Sequence, residues 1–310
     1  MTEIILHHYD ASPFTQRAIK MLAIKGLAWR SVIQPMILPK DELIVLTGGY
    51  RGTPVMQIGA DIYIDSQRIA VELEDRYPEP SLFPNGNRGM PLALVFWGDA
   101  FFAAGLHMAI HELSDDWGET FMKDRKALFS NLDFEAVKRD FPDACARLRA
   151  HASLVEAQLC DGRAFLQGDR PGMADIQAFS VPWFTLASMA VARELLKPFP
   201  HLLAWNERMA GLGEGERTEI EIEEAYREAK SADPLEPAGV DADDPLGLKA
   251  GDPVEIRPVE AERGAVRGEL VTLKPNAVAI RRRHDKIGDV VVHFPRLGYR
   301  VSAVQDLDAR

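Results

Sequence analysis

The chain has 310 residues, 46% of them hydrophobic and 27% charged, with a net charge of -11. That balance belongs to a folded globular chain long enough for two or three cores, and it excludes fibrous, collagen-like and wholly disordered classes. The negative total argues against a dedicated nucleic-acid binder, and apolar runs such as Ala187 to Ala192 fall far short of the ~20 residues that span a bilayer.

The N-terminus carries Glu3 and no basic stretch before Ile4-Ile5-Leu6, so neither a secretory signal nor a membrane segment is expected. The two cysteines, Cys145 and Cys160, lie in helix-like stretches and offer no disulfide framework. A reducing, cytoplasmic setting follows as the expectation.

In chain order, Ile4-Ile5-Leu6 reads as a short strand. Asp10-Ala11-Ser12-Pro13 is a turn, and Ala18, Met21, Leu22 and Ile24 then recur at helical spacing up to Gly26. Ala28 to Ile33 is a second strand. Val55 to Ile58 and Asp61 to Ile64 form a hairpin about Gly59-Ala60, and Ile69, Leu73 and Tyr77 mark a further helix that ends at Pro78. This order, βαβ then ββα within the first 84 residues, predicts a thioredoxin-like α/β domain.

From Leu92 to Trp205 the apolar spacing is helical, with Leu148, Ala152, Val155 and Leu159 forming one stripe, so residues 88–211 are expected to form an all-helical domain. Residues 212–244 hold 3 basic against 12 acidic residues, with Pro234 and Pro237 and Pro245 just beyond, and 212–247 reads as an acidic helix running into a linker. Beyond it, alternating runs at Val254–Arg257, Val266–Leu273, Val278–Arg282 and Val290–Phe294 are separated by turn signals. They predict a small β-barrel of about five strands, SH3-like, over 248–307, tethered by the acidic linker and folding by itself, with partial docking on the rest of the chain expected at so small a size. Arg281-Arg282-Arg283-His284 gives this segment some basic character, but side chains on a strand alternate between faces and nucleic acid is not expected as a partner.

Four sequence blocks carry a resemblance. Ser12-Pro13-Phe14-Thr15-Gln16-Arg17, Gly52-Thr53-Pro54-Val55, Asp65-Ser66-Gln67-Arg68-Ile69 with Tyr77 to Pro84, and Gly168 to Ile176 follow the order and spacing of soluble glutathione S-transferases. Over residues 1–211 the chain resembles that superfamily, and the last hundred residues have no counterpart in it. The resemblance implies glutathione as co-substrate, a small hydrophobic electrophile as its acceptor, conjugation or isomerisation as the chemistry, and a homodimer. A non-catalytic scaffold that binds a ligand or partner is the alternative reading.

Site roles follow the same resemblance, beside plain structural ones. Ser12 at a helix start, with Pro13 following, is an N-cap on any account. By resemblance it is also the hydroxyl that holds the glutathione sulfur as its anion, in place of the cysteine of the thiol-transferase branch, and Tyr9 is the rival. Thr53-Pro54 resembles the cis-proline motif that pairs with the cysteinyl backbone. Ser66 would hold the γ-glutamyl carboxylate at a helix N-terminus, and Asp65, where Glu is more usual, would face the ammonium. Phe14, Trp97, Phe101, His107 and His111, with Phe102, are candidates for the electrophile pocket. Asp175 matches a buried structural aspartate, although Gly172 stands where a capping Ser or Thr is expected. His107 and His111 are four apart, but no third ligand is evident and no metal is expected.

Overall fold

Side-chain alternation along the first strand decides which layer each neighbour joins. In β1 (Ile4–His8), Ile4 and Leu6 enter one apolar cluster and Ile5 enters another on the opposite face of the sheet. The structure is a computed structural model and describes residues 3–304; residues 305–307 of the expected barrel lie outside the described residues.

Helix α1 (Pro13–Lys25) follows β1, capped by Ser12, whose Oγ accepts from Thr15 N at 3.2 Å. Then come β2 (Ala28–Ile33), α2 (Asp41–Thr47), β3 (Val55–Ile58), β4 (Asp61–Ile64) and α3 (Ser66–Arg76). Strand β1 pairs with β2 in parallel and with β3 antiparallel, and β3 pairs with β4 antiparallel, which makes the thioredoxin-like domain expected from the sequence. His7 and His8 are both fully buried on β1. Burial holds each imidazole's pKa down at about 4, His7 Nε2 donates to Gln57 Oε1 at 2.9 Å, and His8 Nε2 lies 2.8 Å from Ser31 Oγ.

A helical domain covers the first face. It comprises α4 (Gly89–Leu113), a short 3-10 turn at Ser114–Asp116, α5 (Glu119–Leu128), α6 (Phe134–Arg139), α7 (Phe141–Leu159), α8 (Met173–Ser188), α9 (Ala190–Leu196) and α10 (Pro200–Ala210). Helix α4 packs against α7 and α8, and α1 also packs on α8. The stretch Gly89–Asp116 is long and apolar enough by length and composition to cross a membrane, with a mean hydropathy of 1.5. Counting uninterrupted apolar runs overlooked it. In the fold its Phe101, Ala104 and Met108 are buried in the helical core.

Asp175 ties this domain together. Its Oδ1 accepts from Leu166 N and Trp205 Nε1, both at 2.8 Å, and its Oδ2 accepts from Gly172 N at 3.0 Å. Burial still pushes its pKa up to about 6. The missing cap side chain has a steric reason: a Cβ on Gly172 would lie 2.7 Å from Pro84 Cδ and 2.8 Å from Leu82 O, where α8 abuts the thioredoxin-like domain.

The remainder of the chain extends the sheet at its edges and packs its opposite face: β5 (Glu216–Glu219), α11 (Ile222–Ser231), β6 (Gly239–Val240), β7 (Pro253–Pro258), β8 (Val266–Lys274), β9 (Ala277–His284), β10 (Gly288–Pro295) and β11 (Tyr299–Ala303). The last five strands run in spatial order β11-β7-β8-β9-β10. The fifth of them, β11, gave no clear sequence signal of its own.

The expectation of a tethered barrel, only partly docked, gives way to a continuous sheet. Strand β10 lies parallel to β4, with Val291 opposite Asp61, Val292 opposite Ile62 and His293 opposite Tyr63, so the C-terminal strands prolong the thioredoxin-like sheet. His293 Nε2 lies 2.7 Å from Asp61 Oδ1, and its ring stacks on Tyr63 with centroids 4.6 Å apart. One apolar cluster contains Ile62 and Ile64 together with Val290, Val292 and Phe294.

The acidic stretch holds the helix expected of it, but packed against the sheet rather than free of it. Strand β5 pairs in parallel with the outer edge of β2. Helix α11 buries Ile222, Ala225, Tyr226 and Ala229, and Gln57 Nε2 donates to Ala225 O at 2.8 Å. Its acidic side chains face outward, where Glu224 pairs with Arg30 at 2.9 Å. The helix expected in this stretch is thus α11, and its buried positions, at spacings of three, one and three, form an amphipathic face.

A chain ending at Gly211 would expose the β4 edge and half of the second core, and it is expected to aggregate. Analytical ultracentrifugation checks this; a monodisperse truncated chain with full helical dichroism would contradict it.

Candidate functional site

The β1–α1 turn places Tyr9 and Ser12 beside the entry to α1, and the loop before β3 brings Thr53-Pro54 alongside, joined by a cis peptide bond. Asp65 opens α3 with φ of 78°, a conformation that L-residues other than Asn and Asp seldom adopt and that recurs at ligand sites. Its carboxylate accepts from Gln67 N at 2.9 Å and from Tyr299 Oη at 3.2 Å, and burial pushes its pKa up.

Two adjoining cavities meet here. The larger, of about 290 Å³, is walled by Phe14, Thr53, Pro54, Asp65 and Ser66 on the thioredoxin-like side. Its far wall is α4, through Val95, Asp99, Phe102, Leu106 and His107. The smaller, of about 80 Å³, contains Tyr9, Ser12, Phe14 and Thr53. The site residues expected on the thioredoxin-like side therefore lie around one cleft, with Ser12 and Tyr9 at one end and Asp65 and Ser66 at the other.

The helical wall departs from expectation. Trp97 packs at a tilt against Phe101 and His151, with centroids 5.5 and 5.9 Å away, and borders a separate apolar groove with Met90 and Leu154. Phe101 is wholly buried in the helical core. His111 stacks on Phe141 at 3.8 Å and its Nδ1 lies 3.1 Å from Lys138 O, so it does not reach the cleft. Helix α4 turns one face to the cleft through Val95, Asp99, Phe102, Ala103, Leu106 and His107, at intervals of four, three, one, three and one, and Trp97, Phe101 and His111 fall outside that stripe. Of the proposed lining, Phe14, Phe102 and His107 remain. Phe14 and Phe102 pack edge to face at 4.7 Å, and Arg147 Nη2 donates to His107 Nδ1 at 2.9 Å.

Charged groups missed by the sequence reading also line the cleft. Arg17 is buried, bonds Asp99 at 3.1 Å and Ser180 Oγ at 3.3 Å, and sits over the Phe14 ring at 4.8 Å. Lys40, Arg51, Arg125 and Arg263 gather around the smaller cavity. Asp124 pairs with Arg51 and, at 2.6 Å, with Arg125. Burial, reinforced by Arg51 and Arg125, brings the Lys40 ammonium down to about 8. The cleft is therefore built to receive an anion. The detectable signal was a cation on an otherwise apolar helix face, as at Arg17, and the paired glycines Gly48-Gly49 and Gly264.

Lys40 also yields a stability prediction. Its folded pKa of about 8 lies below its ordinary value of 10.5. Its charge therefore costs the ligand-free fold stability at neutral pH, and that cost fades as pH rises from about 8 to 10.5. Lys40→Met is expected to raise stability at pH 7 by about 1–3 kcal/mol, with the gain shrinking above pH 9. Urea titrations at both pH values measure it; a destabilised Lys40→Met protein at pH 7 would refute the electrostatic account.

Residues 6–81 match the N-terminal domain of glutathione S-transferases, and residues 112–215 match a domain of unknown function, DUF7962. The crystal structure of a GST-like protein from Pseudomonas syringae is 36% identical and superposes with a TM-score of 0.77, covering 97% of this chain and 100% of that one. The likeness thus reaches into the last hundred residues, for which no counterpart was expected. At 16% identity and a TM-score of 0.52, the β-etherase LigF from Sphingobium sp. strain SYK-6 covers 67% of this chain and 95% of its own. Glutathione S-transferase III in its apo form gives 18% and 0.50, covering 67% and 91%. These last two share the fold of the first two domains. No curated protein matches the chain.

Proposed function

Because the chain belongs to the glutathione S-transferase superfamily, we propose that it binds glutathione in the cleft between its thioredoxin-like and helical domains and activates the thiol for conjugation to, or isomerisation of, a hydrophobic electrophile. The observation that carries this reading is that Thr53, Pro54, Asp65 and Ser66 wall one cavity while Tyr9 and Ser12 wall the next, with Phe14 and Thr53 common to both.

In this reading the backbone at Thr53-Pro54 pairs with the cysteinyl part of the tripeptide. Ser66, first residue of α3, takes the γ-glutamyl carboxylate against amide groups at the positive end of the helix. Asp65 faces the ammonium. The sulfur then lies at the α1 start, toward Ser12 with Tyr9 as understudy. Ser12 Oγ already accepts an N–H from Thr15, but a hydroxyl accepts and donates at once, so its own proton remains available for a thiolate. Lowering a thiol pKa by about 2 units requires ~2.7 kcal/mol, which one hydrogen bond to a charged group, worth roughly 1.5–3, can supply. Phe14, Val95, Phe102 and Leu106 offer the apolar surface for an electrophile.

A cytoplasmic homodimer belongs to the same proposal by resemblance. The second reading, a non-catalytic glutathione-binding scaffold, draws on Ser12 being buried and already serving as a cap.

Two measurements test the site. By calorimetry the parent protein is expected to bind glutathione, and Ser66→Ala to bind it about tenfold more weakly, the loss of one charge-assisted hydrogen bond. Equal affinity would remove Ser66 from the site. Thiolate absorbance of the complex against pH is expected to give an apparent pKa below that of free glutathione, rising in Ser12→Ala. If Ser12→Ala and Tyr9→Phe both leave the pKa unchanged, neither hydroxyl activates sulfur and the scaffold reading prevails.

A further inference from the structure

Arg263 reaches the cleft from the segment joining β7 and β8, far along the chain from the site residues. It lines both cavities. Its backbone is fixed in place: Arg51 N donates to Arg263 O at 2.8 Å, and the next residue, Gly264, crosses so near the α2–β3 loop that a Cβ there would lie 2.1 Å from Gly49 O. The guanidinium sits over the Phe14 ring, 5.5 Å from its centroid, and shares the lining of the larger cavity with Tyr50.

Among the described residues no carboxylate lies within the 4.0 Å of an ion pair with Arg263. Burial works against its charge, while the nearby Asp65 and Asp99 carboxylates favour it, and the guanidinium stays a cation. Next to it, across the same aromatic ring, Arg17 keeps Nη2 buried without a partner. A planar guanidinium held against an aromatic ring, facing a cavity and lacking a paired carboxylate, is a receptor for an anionic group.

We propose that Arg263 is a ligand-binding residue of the cleft, taking the thiolate or a carboxylate of the bound tripeptide, so that the C-terminal β segment forms part of the glutathione site. The inference rests on the glutathione reading above. Tyr299, from the same segment, supports it by holding Asp65 through its hydroxyl.

The test uses the full chain with Arg263→Ala and with Arg263→Met, which keeps an aliphatic stem over Phe14 should the smaller residue disturb folding. Glutathione and S-methylglutathione are titrated by calorimetry, and the bound thiol is titrated by absorbance. Both variants are expected to bind glutathione about tenfold to a hundredfold more weakly, as loss of a charged hydrogen bond implies. If Arg263 holds a carboxylate, S-methylglutathione weakens equally and the thiol pKa is unchanged. If it holds the thiolate, S-methylglutathione is little affected and the thiol pKa rises. A parent that binds glutathione, with Arg263→Met binding both ligands as tightly and at the same thiol pKa, overturns the inference while leaving the glutathione reading intact. A parent that binds neither ligand overturns both.

Discussion

The main-chain pairing of β10 with β4 is the contact on which the rest of the molecule depends. In a four-stranded thioredoxin-like sheet β4 would present a row of unpaired amide and carbonyl groups. Here that edge is extended instead. The ladder hydrogen bonds contribute modestly, about 0.5–1.5 kcal/mol each, whereas burying an aliphatic or aromatic side chain contributes roughly 1.5–3. With Ile62, Ile64, Val290, Val292 and Phe294 sharing one core, packing supplies most of the hold and the ladder supplies the register. That register in turn sets where the β7–β8 segment and Tyr299 arrive.

Around the cleft, electrostatic cost and chemical use coincide. Four cations, Lys40, Arg51, Arg125 and Arg263, border the smaller cavity, and Asp124 answers two of them. The lowered Lys40 pKa and the raised Asp65 pKa express the same circumstance: charged groups kept from water without full compensation. Such groups persist where a ligand completes them. By contrast Asp175, equally buried, has three donors on its oxygens and belongs to the architecture of the helical domain.

Much of this was legible in the sequence because it is local. The Ser12-Pro13 helix start, the Gly59-Ala60 hairpin and the Asp65-Ser66 helix entry are each set by a few adjacent residues. What resisted reading was non-local or depended on facing. Trp97 and Phe101 were chosen by residue type, when only the phase of α4 decides which side chains meet the cleft. Parallel addition of β10 to β4 leaves no mark in the pattern of either strand, since Asp61 and His293, which meet across the seam, stand 232 positions apart. The acidity of 212–244 pointed to a helix where α11 stands but gave no sign that four of its positions are buried. Arg263 lay in an unremarkable loop, and only three-dimensional proximity gives it meaning.

The seam between β4 and β10 also has a kinetic side. Asp61 and His293, bonded across it, stand 232 positions apart in the chain. Closing so large a loop adds entropy only logarithmically, but contacts of such separation slow folding far more than they lower stability. The thioredoxin-like strands and the helices can organise from nearer neighbours, while the sheet extension must wait for segments from opposite ends of the chain to meet. The cleft wall that carries Arg263 and Tyr299 is therefore expected to be among the last parts of the molecule to take shape, so a refolding chain reaches native helix content before it acquires a finished binding site.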